Sequence, residues 1–334
     1  MIKKVGQGGL CEEQIQKAAG LNWDFRNCPV CDANTARTLF HDRNRREGYE
    51  VETDLVECSV CGMRYLNPVP KANDWMDKYE VGHKAPNASL KGKSVPGHFI
   101  AYILDQWRDR LWARDMRFHY APLGSGDGKR ILDIGCGKGD KLKEFSRRGF
   151  QACGVDVSET AISEARQKVA GDFKVGSFES ADYPAEYFDV IRFDNVLEHI
   201  YDPRAFLQKV FILLRPGGEA YGYVPNGDSP SIRWMGKFSV NSWVPFHLNL
   251  FTRETLLRVA NEAGFNARVI PIENPNWAAL SVYQWMNRKQ KQFDFNNGFW
   301  MIKVMGALVA PILWALKRIG TGEEIYMKAI RPIA

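Results

Sequence analysis

The sequence predicts an α/β protein whose larger part is a doubly wound parallel sheet, with a small module in front of it. Three observations carry that expectation. First, Arg130-Ile-Leu-Asp-Ile-Gly-Cys-Gly-Lys-Gly139 is a short apolar strand running into a glycine turn, with a helix starting near Asp140. Glycines let a backbone pass close beneath a ligand, with positive φ where the turn needs it. Second, apolar strand segments and amphipathic helix segments alternate from there on, as a parallel sheet covered on both faces requires. Third, four of the seven cysteines form two tight pairs ahead of that pattern, Cys28-Pro-Val-Cys31 and Cys58-Ser-Val-Cys61.

Composition sets wide bounds. At 334 residues, 45% apolar and 25% charged, the chain can hold one large domain and a smaller module. A net charge of +6 permits nucleic acid, acidic glycans or nucleotide sugars without demanding any of them. The opening residues carry no apolar run long enough for a secretory signal. The expected location is the cytoplasm, or the inner face of a membrane as a peripheral protein, where cysteines stay reduced.

Residues 1–24 show no period and read as a tail. Residues 25–70 form the cysteine module. Each Cys-x-x-Cys can turn two thiolates toward one metal, so Cys28, Cys31, Cys58 and Cys61 are expected to hold a structural Zn²⁺. Two disulfides or a redox dithiol are the competing readings. With four sulfur ligands the metal keeps no open position and is expected to do no chemistry. Tyr49–Glu57 alternates as a strand of a small hairpin, and Leu66-Asn-Pro-Val-Pro70 closes the module with two prolines.

Residues 71–128 are a connector. Within it, Ile100, Ile103, Leu104, Trp107, Leu111 and Trp112 recur at helical spacing over 98–119. Arginines cover the polar side of that helix, as a solvated face or an anion-binding one. The large domain occupies 129–334. Strands are expected near 130–135, 151–155, 172–176, 188–193, 219–224, 266–271 and 324–330, and helices near 139–148, 158–169, 203–214 and 253–263. Inserts fall at 226–249, with Trp234, Trp243, Phe246 and His247, and at 296–320. The second insert contains the apolar run Phe299–Leu316, with Lys303 as its only charge and Pro311 inside it. Burial on the domain, a membrane-surface contact or a homodimer contact each fit that run better than a membrane span.

Taken together, Ile131–Gly139, the acid ending Gln151–Asp156, Phe188-Asp-Val-Ile-Arg-Phe-Asp-Asn-Val-Leu-Glu-His199 and Leu213-Leu-Arg-Pro-Gly-Gly218 resemble the class I S-adenosylmethionine-dependent methyltransferases over roughly Lys129–Phe265. The resemblance implies a Rossmann-like, seven-stranded methyltransferase sheet and S-adenosyl-L-methionine as cofactor. It places Gly135, Gly137 and Gly139 against the methionine and ribose portions, Asp133 near the amino group and Asp156 on the ribose hydroxyls. Val157 would pack on adenine, Ser177 or Phe178 would meet its edge, and Asn195 to Leu197 would line the methyl-donating end. His199 follows the fourth strand and is a candidate general base, and His247 a candidate site-lining residue. Some members hold a metal through Glu-x-x-Glu-His; here Asn195 stands first, so a catalytic metal is not expected.

A four-cysteine module ahead of this domain resembles methyltransferases of bacterial polysaccharide and natural-product pathways. The further C-terminal domain of sugar C-methyltransferases is not expected here, which points to O-methylation of a sugar, glycan intermediate or other small molecule. Two alternatives stand beside it: a ribosomal-RNA base methyltransferase with Asp42-Arg-Asn-Arg-Arg46 gripping phosphate, and a lipid or quinone methyltransferase at a membrane surface.

Overall fold

The computed structural model describes residues 23–43, 52–71, 124–286 and 321–333, together with the single positions 305, 306, 308 and 315. The expected helix over 98–119, residues 44–46 of the basic stretch and nearly all of 299–316 lie outside the described residues. Five strands come first: β1 (Trp23–Asp24), β2 (Ala36–Arg43), β3 (Glu52–Cys58), β4 (Arg64–Leu66) and β5 (Val69–Pro70). The remainder runs β6 (Arg130–Ile134), α1 (Asp140–Arg147), β7 (Gln151–Asp156), α2 (Glu159–Lys168), β8 (Gly171–Val175), β9 (Phe188–Arg192), α3 (Pro203–Leu213) and β10 (Leu214–Pro225). It continues through α4 (Pro230–Met235), β11 (Asn249–Leu250), α5 (Arg253–Glu262), β12 (Asn266–Ile272), α6 (Pro275–Met286) and β13 (Glu324–Ile330).

The large sheet has seven strands in the order β12-β13-β10-β9-β6-β7-β8. β8, β7, β6, β9 and β10 pair in parallel. β13 runs against β10, because Gly217 near the start of β10 donates to the carbonyl of Arg331, just past the end of β13, at 2.9 Å. This mixed sheet is the Rossmann-like methyltransferase fold. Its central strands are nearly continuous apolar runs, as strands covered on both faces must be. Ile131, Leu132, Phe188 and Ile191 are fully buried, each contributing about 1.5–3 kcal/mol. α1 turns Leu142 and Phe145 inward, and α2 turns Ile162 and Ala165. Local chemistry starts two of the helices: the Ser158 hydroxyl accepts from the N–H of Ala161, and the Asp202 carboxylate accepts from Arg204 and Ala205 ahead of Pro203.

The chain divides into two compact units that interleave along the sequence. One comprises Met1–Phe118, Pro225–Thr252 and Pro271–Glu324; the other comprises His119–Val224, Arg253–Ile270 and Ile325–Ala334. Strand pairing shows why the first unit gathers distant segments. The 226–249 segment, expected as an insert of the large domain, leads into β11, which pairs antiparallel with β4 and completes the four-stranded sheet β11-β4-β3-β2. Leu66 donates to the carbonyl of Leu248 at 3.0 Å, and the Arg26 guanidinium reaches the same carbonyl at 2.8 Å. Arg64 on β4 ties Glu57 to Asp228. β2 is a strand beyond those expected from the sequence, paired with β3 from Ala36↔Cys58 onward. Within the same unit, Asn241 and Ser231 donate to the buried carboxylate of Glu323, and burial pushes that carboxyl up to about 7. No helix among the described residues is long and apolar enough to cross a membrane.

Candidate functional site

The glycine turn caps the carboxyl end of β6. Gly135 donates to the carbonyl of Val155 at 2.8 Å, and the three glycines take φ of 71°, 51° and 72°. Side chains at two of them would collide, with Val196 at 2.8 Å from a Cβ on Gly135 and Ala165 at 2.9 Å from one on Gly139. A Cβ on Gly137 would meet nothing within 4 Å, so its backbone is open to a ligand. The Asp156 carboxylate fixes this turn from β7: one oxygen accepts the N–H of Gly137 at 2.8 Å, the other that of Ser158 at 2.9 Å. Each oxygen keeps capacity for a second donor such as a ribose hydroxyl. Val157 follows, half-buried.

The remaining expected contacts are placed less uniformly. Ser177 sits in the turn after β8, its hydroxyl 3.4 Å from that of Ser180. The Phe178 ring is buried, 4.9 Å from the Phe206 ring with the Lys209 ammonium nearby, so its side chain belongs to the core. Asn195 has φ of 51° and donates its N–H to the carbonyl of Tyr223 at 2.8 Å. Leu197 is fully buried in the short 3-10 turn Leu197–His199.

Asp133 does more than line the turn. It lies directly opposite Arg192 on neighbouring strands, and its Oδ1 is 2.7 Å from the Arg192 guanidinium. Arg192 also pairs with Asp194. Burial pushes the Asp133 carboxyl up and Arg192 opposes the shift. Asp194 is pushed up to about 7, by burial first, with Asp133 adding to it and Arg192 acting against it. Arg192 and Asp194 are not among the site residues expected from the sequence. A signal for them exists there, since an arginine inside the apolar run Val190-Ile-Arg-Phe193 demands a buried counter-charge.

His199 closes the turn after β9, where its N–H donates to the carbonyl of Val196 at 2.9 Å and its Nε2 lies 3.8 Å from the Glu198 carboxylate. In the other unit, His247 is buried and donates through Nδ1 to the carbonyl of Asn241 at 2.8 Å, with its ring edge-on to Trp243. Of the other aromatics in that segment, Phe246 is buried and Trp234 is exposed.

The four cysteines of the first unit converge. All four sulfurs lie within 4.8 Å of one another, with Cys28–Cys61 and Cys31–Cys58 each at 3.5 Å, and all are free thiols. Asp32 and Gly62, each following the second cysteine of its pair, both take a left-handed conformation (φ 60° and 75°). The N–H of Val60 points at the Cys58 sulfur, 3.4 Å away. Burial raises the Cys28 and Cys61 thiols, the latter to about 11. A tetrahedral shell with Zn–S near 2.3 Å places sulfurs about 3.8 Å apart, and this donor set fits it.

Comparison with known proteins agrees with the geometry. A sequence model of the methyltransferase domain matches residues 98–269. A protein of Bradyrhizobium diazoefficiens named ubiquinone biosynthesis O-methyltransferase is 36% identical over 198 residues, covering 52% of this chain and 76% of that protein. One of the same name from Bradyrhizobium sp. is 36% identical over 134 residues, and the chain spans only 52% of its length. Among solved structures, an S-adenosylmethionine-dependent methyltransferase from Archaeoglobus fulgidus aligns with TM-score 0.44 at 22% identity, over 67% of this chain and 94% of that one. Haemonchus contortus phosphoethanolamine N-methyltransferase 2, bound to S-adenosyl-L-methionine, aligns with TM-score 0.46 at 18% identity, over 80% of this chain and 62% of that one. The family match covers just over half the chain, and with it the glycine turn, the β7 acid and the sheet order acquire one meaning: the chain belongs to the methyltransferase domain family and is an S-adenosylmethionine-dependent methyltransferase.

Proposed function

We propose that the protein methylates an oxygen of a small-molecule acceptor, a phenolic hydroxyl of a quinone precursor being the favoured class. The observation that carries this reading is the 36% identity over 198 residues to a protein named ubiquinone biosynthesis O-methyltransferase. The bound cofactor supplies an electrophilic methyl on a positively charged sulfur. The residues of this chain then have to orient, shield and move one proton. Asp156 would hold the ribose hydroxyls, and the Gly135–Gly139 turn the methionine and ribose portions. His199, just past the end of β9 with Glu198 beside it, takes the proton of the acceptor hydroxyl.

The His199→Ala variant is expected to lower kcat by about 10²–10⁴-fold, with the affinity for S-adenosylhomocysteine unchanged. The assay uses labelled cofactor with a phenolic quinone precursor, a nucleotide-sugar panel and total RNA in parallel. Label in the phenol supports the reading. Label in a sugar restores the glycan acceptor, which the four-cysteine module favours by resemblance, and label in RNA overturns both.

Cys28, Cys31, Cys58 and Cys61 would hold one structural zinc, taking no part in the transfer. Purified protein is expected to carry one zinc per chain by elemental analysis. Cys58→Ser should remove it and make residues 23–71 sensitive to protease, whereas an unchanged digestion pattern would refute a structural role.

A further inference from the structure

Residues 226–250 follow directly on the carboxyl end of β10. Because β6, β9 and β10 are parallel, the segment starts on the sheet edge that carries the glycine turn. Loops on that edge of an open α/β sheet are where ligands bind. The segment closes on itself: Gly227 donates its N–H to the carbonyl of Phe251 at 2.7 Å, and a Cβ on Gly227 would stand 2.5 Å from the carbonyl oxygen of Leu250.

Both ends of this closed segment are gripped by the cysteine module, each through an arginine. At the first end, Arg64 donates to the carbonyl of Gly227 and reaches the Asp228 carboxylate at 3.3 Å. At the second, Arg26 donates to the carbonyl of Leu248 at 2.8 Å and to the Asn249 side chain at 3.1 Å. His247 immediately precedes the clamped Leu248. The two arginines stand beside the sulfur ligands, Arg26 two residues ahead of Cys28 and Arg64 three residues past Cys61. Glu57, the neighbour of Cys58, holds the Arg64 guanidinium at 2.9 Å. The strands that join module and segment are short, three residues in β4 and two in β11. Pairing of that length does not stand alone, and thiolate knuckles of this kind are ordered by their metal.

We infer that the metal-held knuckles, acting through Arg26 and Arg64, set the conformation of residues 226–250 and with it the binding of the acceptor. The two arginines are then positioning residues for the reaction. The inference rests on the zinc reading above, not on which acceptor is methylated. Asp156 and the glycine turn belong to the other compact unit, so the affinity for the cofactor is expected to stand apart from the metal.

Hydrogen exchange followed by mass spectrometry tests this on the full chain: as purified, stripped of zinc by a chelator under reductant, and as Arg64→Met with its zinc content checked. Stripping should speed exchange across 226–250 by about tenfold or more and leave 130–175 within about twofold. Arg64→Met should speed exchange at 227–230 with zinc retained. For whichever acceptor of the panel above takes label, it should raise KM by about tenfold. Its kcat and its affinity for S-adenosylhomocysteine should stay within about twofold. Should Arg64→Met fail to fold, Asp228→Asn, which weakens only one contact of the same arginine, takes its place. Exchange in 226–250 that ignores zinc removal, or that rises equally at 130–175, overturns the inference and leaves the zinc reading intact. An unchanged KM in the variant overturns it too. Purified protein without zinc removes the zinc reading and the inference together.

Discussion

Asp156→Ala is expected to weaken S-adenosylhomocysteine binding by about 10²–10⁴-fold, from the loss of two charge-assisted hydrogen bonds worth about 1.5–3 kcal/mol each. The carboxylate has two tasks at once. It holds the glycine turn through the N–H of Gly137 and opens α2 through the N–H of Ser158. Its remaining lone pairs are left for ribose hydroxyls. Alanine removes both tasks, while the half-buried position leaves no large cavity behind. Calorimetry measures the loss, and near-UV circular dichroism checks that the fold persists. Asp156→Asn should fall between the two, because an amide offers one acceptor oxygen instead of two. A loss below about tenfold, equivalent to about 1.4 kcal/mol, would take Asp156 out of the cofactor site.

Arg192→Met is expected to destabilise the protein by about 3–5 kcal/mol, the cost of removing one partner from a buried ion cluster. The methionine fills most of the volume, so the effect comes from Asp133 and Asp194, left facing each other under burial without their cation. Burial and the Asp133 charge already push Asp194 up to about 7 with Arg192 present. Urea denaturation followed by fluorescence reads the change. Arg192→Met/Asp133→Leu should recover at least about half of the loss, since it removes a stranded charge along with its partner. A single variant as stable as the wild type would mean that the pairs do not form in solution.

Much of the large sheet is legible in the order of amino acids alone. β6, β7, β9 and β10 are apolar runs bounded by turn chemistry, and α2 and α3 announce themselves through Ser158 and Asp202-Pro203. The two Cys-x-x-Cys knuckles are legible for the same reason, since each pair is set by a few neighbouring residues. β2 is not, because Ala36-Arg-Thr-Leu-Phe-His-Asp-Arg43 alternates poorly and becomes a strand only through its pairing with β3. The place of Phe178 after β8 suggests a ligand contact, but its ring belongs to a cluster with Phe206, which lies on α3.

Period, capping and spacing act over a few residues, so they suffice for the order of strands and helices, the glycine turn with its acid, and the four-sulfur set. Long-range pairing is what brings residues 226–249 to the cysteine unit, where β11 completes the sheet beside β4. It is also what sets Arg192 opposite Asp133 and within reach of Asp194. Both outcomes depend on register between segments far apart in the chain, where one residue of slip would turn every side chain to the opposite face.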